Sequence, residues 1–134
     1  MEILLDTNFI LTCVKQKIDL FSQLDELFGL YTIKIPEQVL NELKILKEKK
    51  ELKITERESA ELALVLLKNK KIKIINSNKK DADSAIVEHI STIKSELCVA
   101  TLDKDLKIRI NKLTQSNLKP KFLTIRNKKR IAIV

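Results

Sequence analysis

A single histidine, His89, among 134 residues removes several chemistries at the outset. A histidine-ligated zinc site, a Ser-His-Asp triad and a two-histidine ribonuclease mechanism all need imidazoles that this chain does not have. Only two cysteines occur, Cys13 and Cys98, with no CxxC or Cys/His spacing around them. They read as reduced thiols filling apolar space rather than as a disulfide framework. Tryptophan is absent, and one Tyr and four Phe are too few to fill a core and also build a stacking platform for bases. One Gly and two Pro, set against 44% hydrophobic and 33% charged residues, exclude collagen-like, low-complexity and disordered chains. No run approaches the roughly 20 apolar residues of a membrane span. The opening MEILLD puts an acid where a signal peptide wants basic and then apolar residues. A cytoplasmic location without membrane attachment is expected.

Positive charge is plentiful and uneven. The net charge is +8, yet residues 104–134 carry ten Lys/Arg against the single acid Asp105, a local +9 that leaves residues 1–103 at −1. A basic segment of this kind is the footprint of a protein that approaches phosphate, with a solvated lysine face as the plainer alternative. The length suits one domain spanning 1–134.

Periodicity alternates between strand and helix. Residues 2–6 read as a buried strand ending in an acid, 7–16 as a helix, and 19–29 as a helix with an Asp cap, a stripe of Leu20, Leu24 and Leu27, and a terminal Gly. Residues 31–35 alternate as a strand, and Pro36 sits at the favoured first position of a helix running to about Lys49. Thr55 and Glu58 have capping-box spacing and open a helix to Leu67. Strands follow at 71–75, 97–101 and 122–125, helices at 80–93 and 103–113, and residues 131–134 can add an edge strand. The alternation predicts an α/β fold: a three-layer α/β/α sandwich around a mainly parallel sheet of four or five strands.

In such a sheet, functional groups gather at the carboxyl ends of the strands. Asp6 ends the first strand, and Asp103 follows the strand and turn of LCVATLD. Glu42 lies three residues after Val39 and four before Leu46, on the inward stripe of its helix. Asp83 likewise heads an apolar face made by Ile86, Val87 and Ile90. Each acid has a plain structural role open to it: Asp83 as a first-turn charge, Asp103 as a helix cap, Asp6 as a turn residue, Glu42 as the rim of a stripe beside a lysine. If the four converge, they repel one another and call for a cation. An oxygen-only donor set selects Mg²⁺ or Mn²⁺ over zinc or copper. Metal-assisted phosphodiester hydrolysis needs no histidine base.

Four segments, LLDTNFIL, PEQVLNELKILK, DADSAIVEHI and VATLDKDLKIRI, resemble in order and spacing the PIN-domain nucleases, and the resemblance covers nearly the whole chain. It implies a Mg²⁺- or Mn²⁺-dependent endoribonuclease cutting single-stranded RNA to leave 3′-hydroxyl and 5′-phosphate ends. Carried over, the catalytic and metal-binding acids fall on Asp6, Glu42, Asp83 and Asp103, with Asp105 as a fifth metal candidate. Asn8 and Thr101 match the polar positions that orient the first and last acids, helix capping being the alternative. Many relatives carry a second acid after the third motif's Asp, where this chain has Ser84. Asp81, rotated about 200° from Asp83 on a helix, reads as an N-terminal charge. The segments KIDLFSQLDELFG and TIRNKKRIAIV, with the KELK and TERESAELAL helices between them, look most similar to archaeal PIN proteins of the branch that processes small-subunit ribosomal RNA. The VapC-type toxins of toxin–antitoxin pairs come next. The partners this implies are single-stranded or precursor ribosomal RNA, a homodimer mate, and an antitoxin or ribosome-assembly protein.

Phosphate contacts are expected from Lys104, Lys107, Arg109, Arg126, Lys128, Lys129 and Arg130. Response-regulator receivers and haloacid-dehalogenase-like phosphatases also place acids after the first strand. Here Asn8 stands where the latter require a second Asp, and Asp6-Thr7-Asn8 lacks the adjacent acids of the former. The rival from another class is a PIN-fold assembly factor that binds RNA without cutting it, which retention of all four acids disfavours.

Overall fold

The computed structural model describes residues 1–113 and 119–134. The first strand, β1 (Glu2–Leu5), is buried on both faces: Ile3 and Leu5 join one cluster and Leu4 the other. This period-two division explains its unbroken apolar sequence, since a strand with helices on both faces has no polar side to show. Asp6 caps α1 (Thr7–Lys15). Asp19 caps α2 (Leu20–Phe28), and Gly29 ends it at φ 70°, a conformation open to a residue without Cβ. Along α2, Leu20, Phe21 and Leu24 are buried while Leu27 is exposed, so the expected stripe is rotated toward Phe21.

Strand β2 (Thr32–Pro36) leads directly into α3 (Glu37–Glu48). Pro36 is not the first helical residue: it keeps extended backbone (φ −60°, ψ 141°) and pairs with Ile75, serving as strand end and helix cap together. KELK, residues 50–53, is the turn before α4 (Ile54–Lys68) and is not helical. The helix starts one residue before Thr55, with Lys53 as a cap that makes no side-chain bond. Thr55 thus lies inside the first turn, where its carbonyl accepts from Ser59 and its hydroxyl cannot act as a cap. Then come β3 (Ile72–Ile75), α5 (Ala82–Thr92), β4 (Leu97–Ala100), α6 (Lys104–Leu113), β5 (Lys121–Arg126) and β6 (Arg130–Ile133).

Among the described residues the sheet has six strands in the order β3-β2-β1-β4-β5-β6, one or two more than expected, with β1 to β5 parallel and β6 antiparallel to β5. Side chains of α1, α2, α3 and α4 pack on the face carrying Ile3, Leu5, Ile33 and Ile35. Ile86 and Ile90 of α5, with Leu106 and Ile110 of α6, cover Leu4, Val99 and Phe122 on the other. Cys13 and Cys98 are free thiols buried in the larger cluster, where burial pushes Cys13 up to about 12 and keeps it protonated. No helix among the described residues is long and apolar enough to cross a membrane.

The strand order sets the site. The chain runs outward from β1 through β2 to β3, then returns to build β4 on the other side of β1. The connections leaving β1 and β4 diverge to opposite faces, and at such a switch point a parallel sheet characteristically leaves a crevice at the carboxyl ends of its strands.

Candidate active site

Asp6 and Asp103 emerge at that crevice. Asp6 is 4% exposed, an unfavourable place for a carboxylate unless it is bonded. Its Oδ1 accepts from the Thr7 amide at 2.9 Å and its Oδ2 from the Thr101 hydroxyl at 2.7 Å. The Thr101 oxygen in turn accepts from the Asp103 amide at 3.1 Å. One fully buried hydroxyl thus joins the ends of β1 and β4. Asp103 Oδ1 accepts from the amides of Asp105 (2.9 Å) and Leu106 (3.2 Å), capping α6. Asn8 Oδ1 takes the Leu102 amide at 3.2 Å, so Asn8 staples the start of α1 to the loop after β4.

Glu42 and Asp83 come from the two opposite faces of the sheet. Glu42 is half-buried on α3, and its Oε2 accepts from the Thr7 hydroxyl, linking it to the residue beside Asp6. Asp83 sits in the first turn of α5, half-buried. Burial raises its pKa to about 6, helped by the charges of Asp6, Asp103 and Asp81 and by a hydrogen-bond contact with Asp103. Asp6 is also raised, first by burial and then by Glu42 and Asp103, against the lowering effect of its bonds to Thr101 and Thr7. Asp6 thus lies in the fields of Glu42 and Asp103, and Asp83 in those of Asp6 and Asp103. Asp105 stands apart: its carboxylate is exposed, and only its amide enters the network. Asp81 caps α5 by accepting from the Ser84 amide at 2.7 Å, which lowers its pKa. His89, six residues beyond Asp83 on α5, turns toward the start of β1, 3.7 Å from Glu2, and is lowered in pKa by burial and by Lys34. The lone imidazole is no part of the crevice.

Among the described residues, no three His, Cys, Asp or Glu side chains stand close enough to enclose an ion as they are. The donor chemistry nevertheless suits a hard divalent cation. Mg²⁺ keeps several waters and is commonly bound through one or two carboxylates, so an open group of acids matches it better than a closed cage does. Asp83, crowded by the charges of Asp6 and Asp103, gains from a cation placed between them.

The expected phosphate-binding residues fall into two groups. Lys104 and Lys107 are on α6 with Arg109, whose guanidinium donates to the Ser84 hydroxyl at 3.4 Å, beside Asp81 and Asp83. Arg126, Lys128, Lys129 and Arg130 are all exposed in the turn between β5 and β6. Leu123 pairs with Ala100, so β5 runs three residues further and carries this turn roughly 10 Å past the crevice. The turn is closed by the Lys129 amide on the Arg126 carbonyl at 3.0 Å, with Asn127 and Lys128 both at positive φ, 53° and 56°.

Three supporting residues have no sequence signature. Thr7 carries Glu42. Gln23 of α2 clamps the basic turn, its Nε2 donating to the Lys129 carbonyl at 2.8 Å and its Oε1 accepting from the Ile131 amide at 2.7 Å. Buried Gln38 donates to the carbonyls of Ser77 (3.3 Å) and Lys79 (2.8 Å), fixing the loop that delivers α5 and Asp83. Each bond reaches across at least 35 residues of chain, and polar positions near a helix start are too common to mark such a partner.

Comparison with known proteins gives this geometry its context. The family model described as PIN like domain matches residues 3–119. Ribonuclease VapC4 of Methanocaldococcus jannaschii is 31% identical over 98% of this chain and 95% of its own length. Among solved structures, the PIN domain endonuclease Utp24 superposes with a TM-score of 0.75 at 31% identity, covering 98% of this chain and 90% of that one. VapBC2 from Rickettsia felis, solved bound to a promoter DNA fragment, shares the fold at a TM-score of 0.50 and 19% identity, over 91% of this chain and 98% of that one. A family model spanning most of the chain, and a ribonuclease and an endonuclease alike along nearly all of it, place this protein in the PIN-domain nuclease family.

Proposed function

We propose that the chain is a divalent-metal-dependent endoribonuclease that hydrolyses phosphodiester bonds in single-stranded RNA, with Asp6, Glu42, Asp83 and Asp103 holding Mg²⁺ or Mn²⁺. The observation that supports this reading is the gathering of acids at the switch point: Thr101 holds Asp6 and Asp103 in one network, Thr7 ties Glu42 beside Asp6, and Asp83, raised to about 6 by burial and then by the charges of Asp6 and Asp103, stands next to them. Groups held in such proximity gain from a cation and strain without one. A bound Mg²⁺ or Mn²⁺ would supply a water acidified toward neutral pH and charge compensation on the phosphate oxygens. The chain's own residues do the rest. Thr101 and Thr7 fix the angles of Asp6 and Glu42. Arg109, beside Ser84, offers a cation to a phosphate at the crevice mouth, and the β5–β6 turn holds backbone phosphates further along. Asp105, exposed two residues after Asp103, is the further acid assigned to the metal.

Within that activity, processing of precursor ribosomal RNA is the favoured role, because the +9 segment suits a large folded RNA and the likeness to the endonuclease Utp24 holds in both sequence and fold. A toxin ribonuclease with an antitoxin partner is the second reading, favoured by the end-to-end likeness to VapC4. The test is incubation of the purified protein with end-labelled precursor ribosomal RNA and Mn²⁺, beside an Asp83→Asn control. Discrete cuts that vanish in the control are expected. Intact RNA, together with a melting temperature that Mn²⁺ leaves unmoved, would overturn the assignment. A small antitoxin reading frame beside the gene would move the role to the second reading.

A further inference from the structure

Far from the acids, a groove of about 600 Å³ opens on the flank of the molecule between α3, α4 and the outer strand β3. Its volume lies in the range of roughly 300–1,000 Å³ that binding clefts occupy. Leu40, Leu64, Leu67, Ile72 and Ile74 make its floor. Lys44, Lys47, Lys68 and Lys70 stand around it, with Glu48 as the one acid. It is independent of the crevice: Lys44 is two residues from Glu42 and so about 200° round α3.

Among the described residues, strand β3 is the terminal strand of the sheet and pairs with β2 on one side only. Its outer edge carries no further strand among them, and Ile74 is 49% exposed. An open edge next to apolar side chains is a template for another strand. Ile72 and Ile74 line the groove, paired in register with Ile33 and Ile35 of the larger cluster, while Lys73 turns to the other face and Ile75 packs there on the smaller cluster. A strand added here would meet apolar neighbours toward the groove, a rim of lysines around it and Lys73 on the other face, so cross-strand pairing favours a segment alternating apolar with acidic residues. A second copy is a poor occupant. It would set lysine rim against lysine rim, and the chain's other open edge, β6, begins at Arg130 beside Lys128 and Lys129. The lysines that hold two copies apart are the ones that would select an acidic partner.

We propose that β3 and this groove bind an extended segment of another protein, alternating apolar and acidic residues, as a seventh strand of the sheet. The inference does not depend on the nuclease reading.

The test uses the full chain and two labelled nine-residue peptides, one alternating Val/Ile with Glu/Asp and one with Lys in place of every acid, followed by fluorescence anisotropy. The acidic peptide is expected to bind at least tenfold more tightly than its lysine counterpart. The Lys71→Glu/Lys73→Glu variant should reverse that order. Ile74→Lys, at an exposed position, should weaken the acidic peptide at least tenfold with little change in melting temperature. Failure of the acidic peptide to bind, or equal binding of both peptides, overturns the proposal. So does a wild-type dimer in sedimentation that Ile74→Lys dissolves, which would make the occupant a second copy. Displacement of the acidic peptide by single-stranded RNA would make the rim a phosphate surface and would also overturn it.

Discussion

The acids after β1 and β4 and the cations of the β5–β6 turn share one edge of the sheet, yet the chain holds them by different means. Each acid but Asp83 is tied by name to a partner: Asp6 to Thr101, Glu42 to Thr7, Asp103 to the amides that open α6. The cations are exposed and have no side-chain ties to one another; what is fixed is the backbone beneath them, through Gln23. On the proposed function the acids serve a reacting phosphate, where an error of about 1 Å costs on the order of a hundredfold, and individual setting suits that task. Groups that hold a polyanion need only be near it, and any one can substitute for the next.

Replacement tests that contrast most sharply at the acids. Asp6→Asn and Asp83→Asn should each lower Mn²⁺-dependent cleavage by roughly a thousandfold or more while circular dichroism shows the fold retained. A variant that cuts at the wild-type rate would remove its acid from the site. Next in size is Thr101→Val, which takes the hydroxyl from Asp6 and leaves a buried carboxylate oxygen without a partner. Mn²⁺ affinity should fall about 10- to 100-fold, and urea unfolding should show a loss of about 1–3 kcal/mol. Thr101→Ser should restore most of both. An unaltered titration would mean that the bridge between β1 and β4 does not orient the acids.

At the basic turn, effects should be smaller and shared. Reversing the charges of Arg126, Lys128 and Lys129 together should weaken RNA binding about tenfold and lower the salt slope by about 2, at roughly 0.7 for each single-strand phosphate that is no longer neutralised. Cleavage at saturating RNA should stay near wild type. Gln23→Ala should give a change of only about threefold, by loosening a turn in which Asn127 and Lys128 occupy a region costing roughly 1 kcal/mol or more per residue. If that single amide mattered as much as the three charges, the turn would be set as individually as the acids are.

The smallest effect is one of pH. Asp83 is raised from 3.8 to about 6, and Asp6 is raised as well. In metal-free protein the folded state therefore takes up protons at a higher pH than the unfolded chain does. These groups should make the fold more stable as pH falls from 7 through 6 toward 4, and less stable as pH rises through the same window. Scanning calorimetry should show that slope, and Mn²⁺ should reduce it most at pH 7, where the acids are ionised. A metal-free melting temperature unaffected by Asp83→Asn across pH 4 to 7 would count against the crowding of the acids.

In the sequence Asp6 stands out because it ends a strand-like run, Asp103 because it follows a strand and its turn, and Glu42 and Asp83 because a carboxylate interrupts an apolar stripe. The alternation of strands and helices also carried the parallel sheet and its two covered faces. Local signals did less well where local rules compete. Thr55 and Glu58 have capping spacing, but the turn at 50–53 starts α4 a residue early. Pro36 suits a helix start, yet pairing with Ile75 holds it in β2. Gln23, Gln38 and the Thr7–Glu42 bond depend on contacts between distant segments, which periodicity does not encode.

Two of the crevice acids are also the residues from which helices begin: Asp6 opens α1 and Asp103 opens α6. Oxygens that face the substrate edge are therefore wired to the first turns of two rods on opposite faces of the sheet. A cation bound between them should therefore slow or speed the exchange of the first-turn amides of both helices together, a readout of occupancy without any substrate.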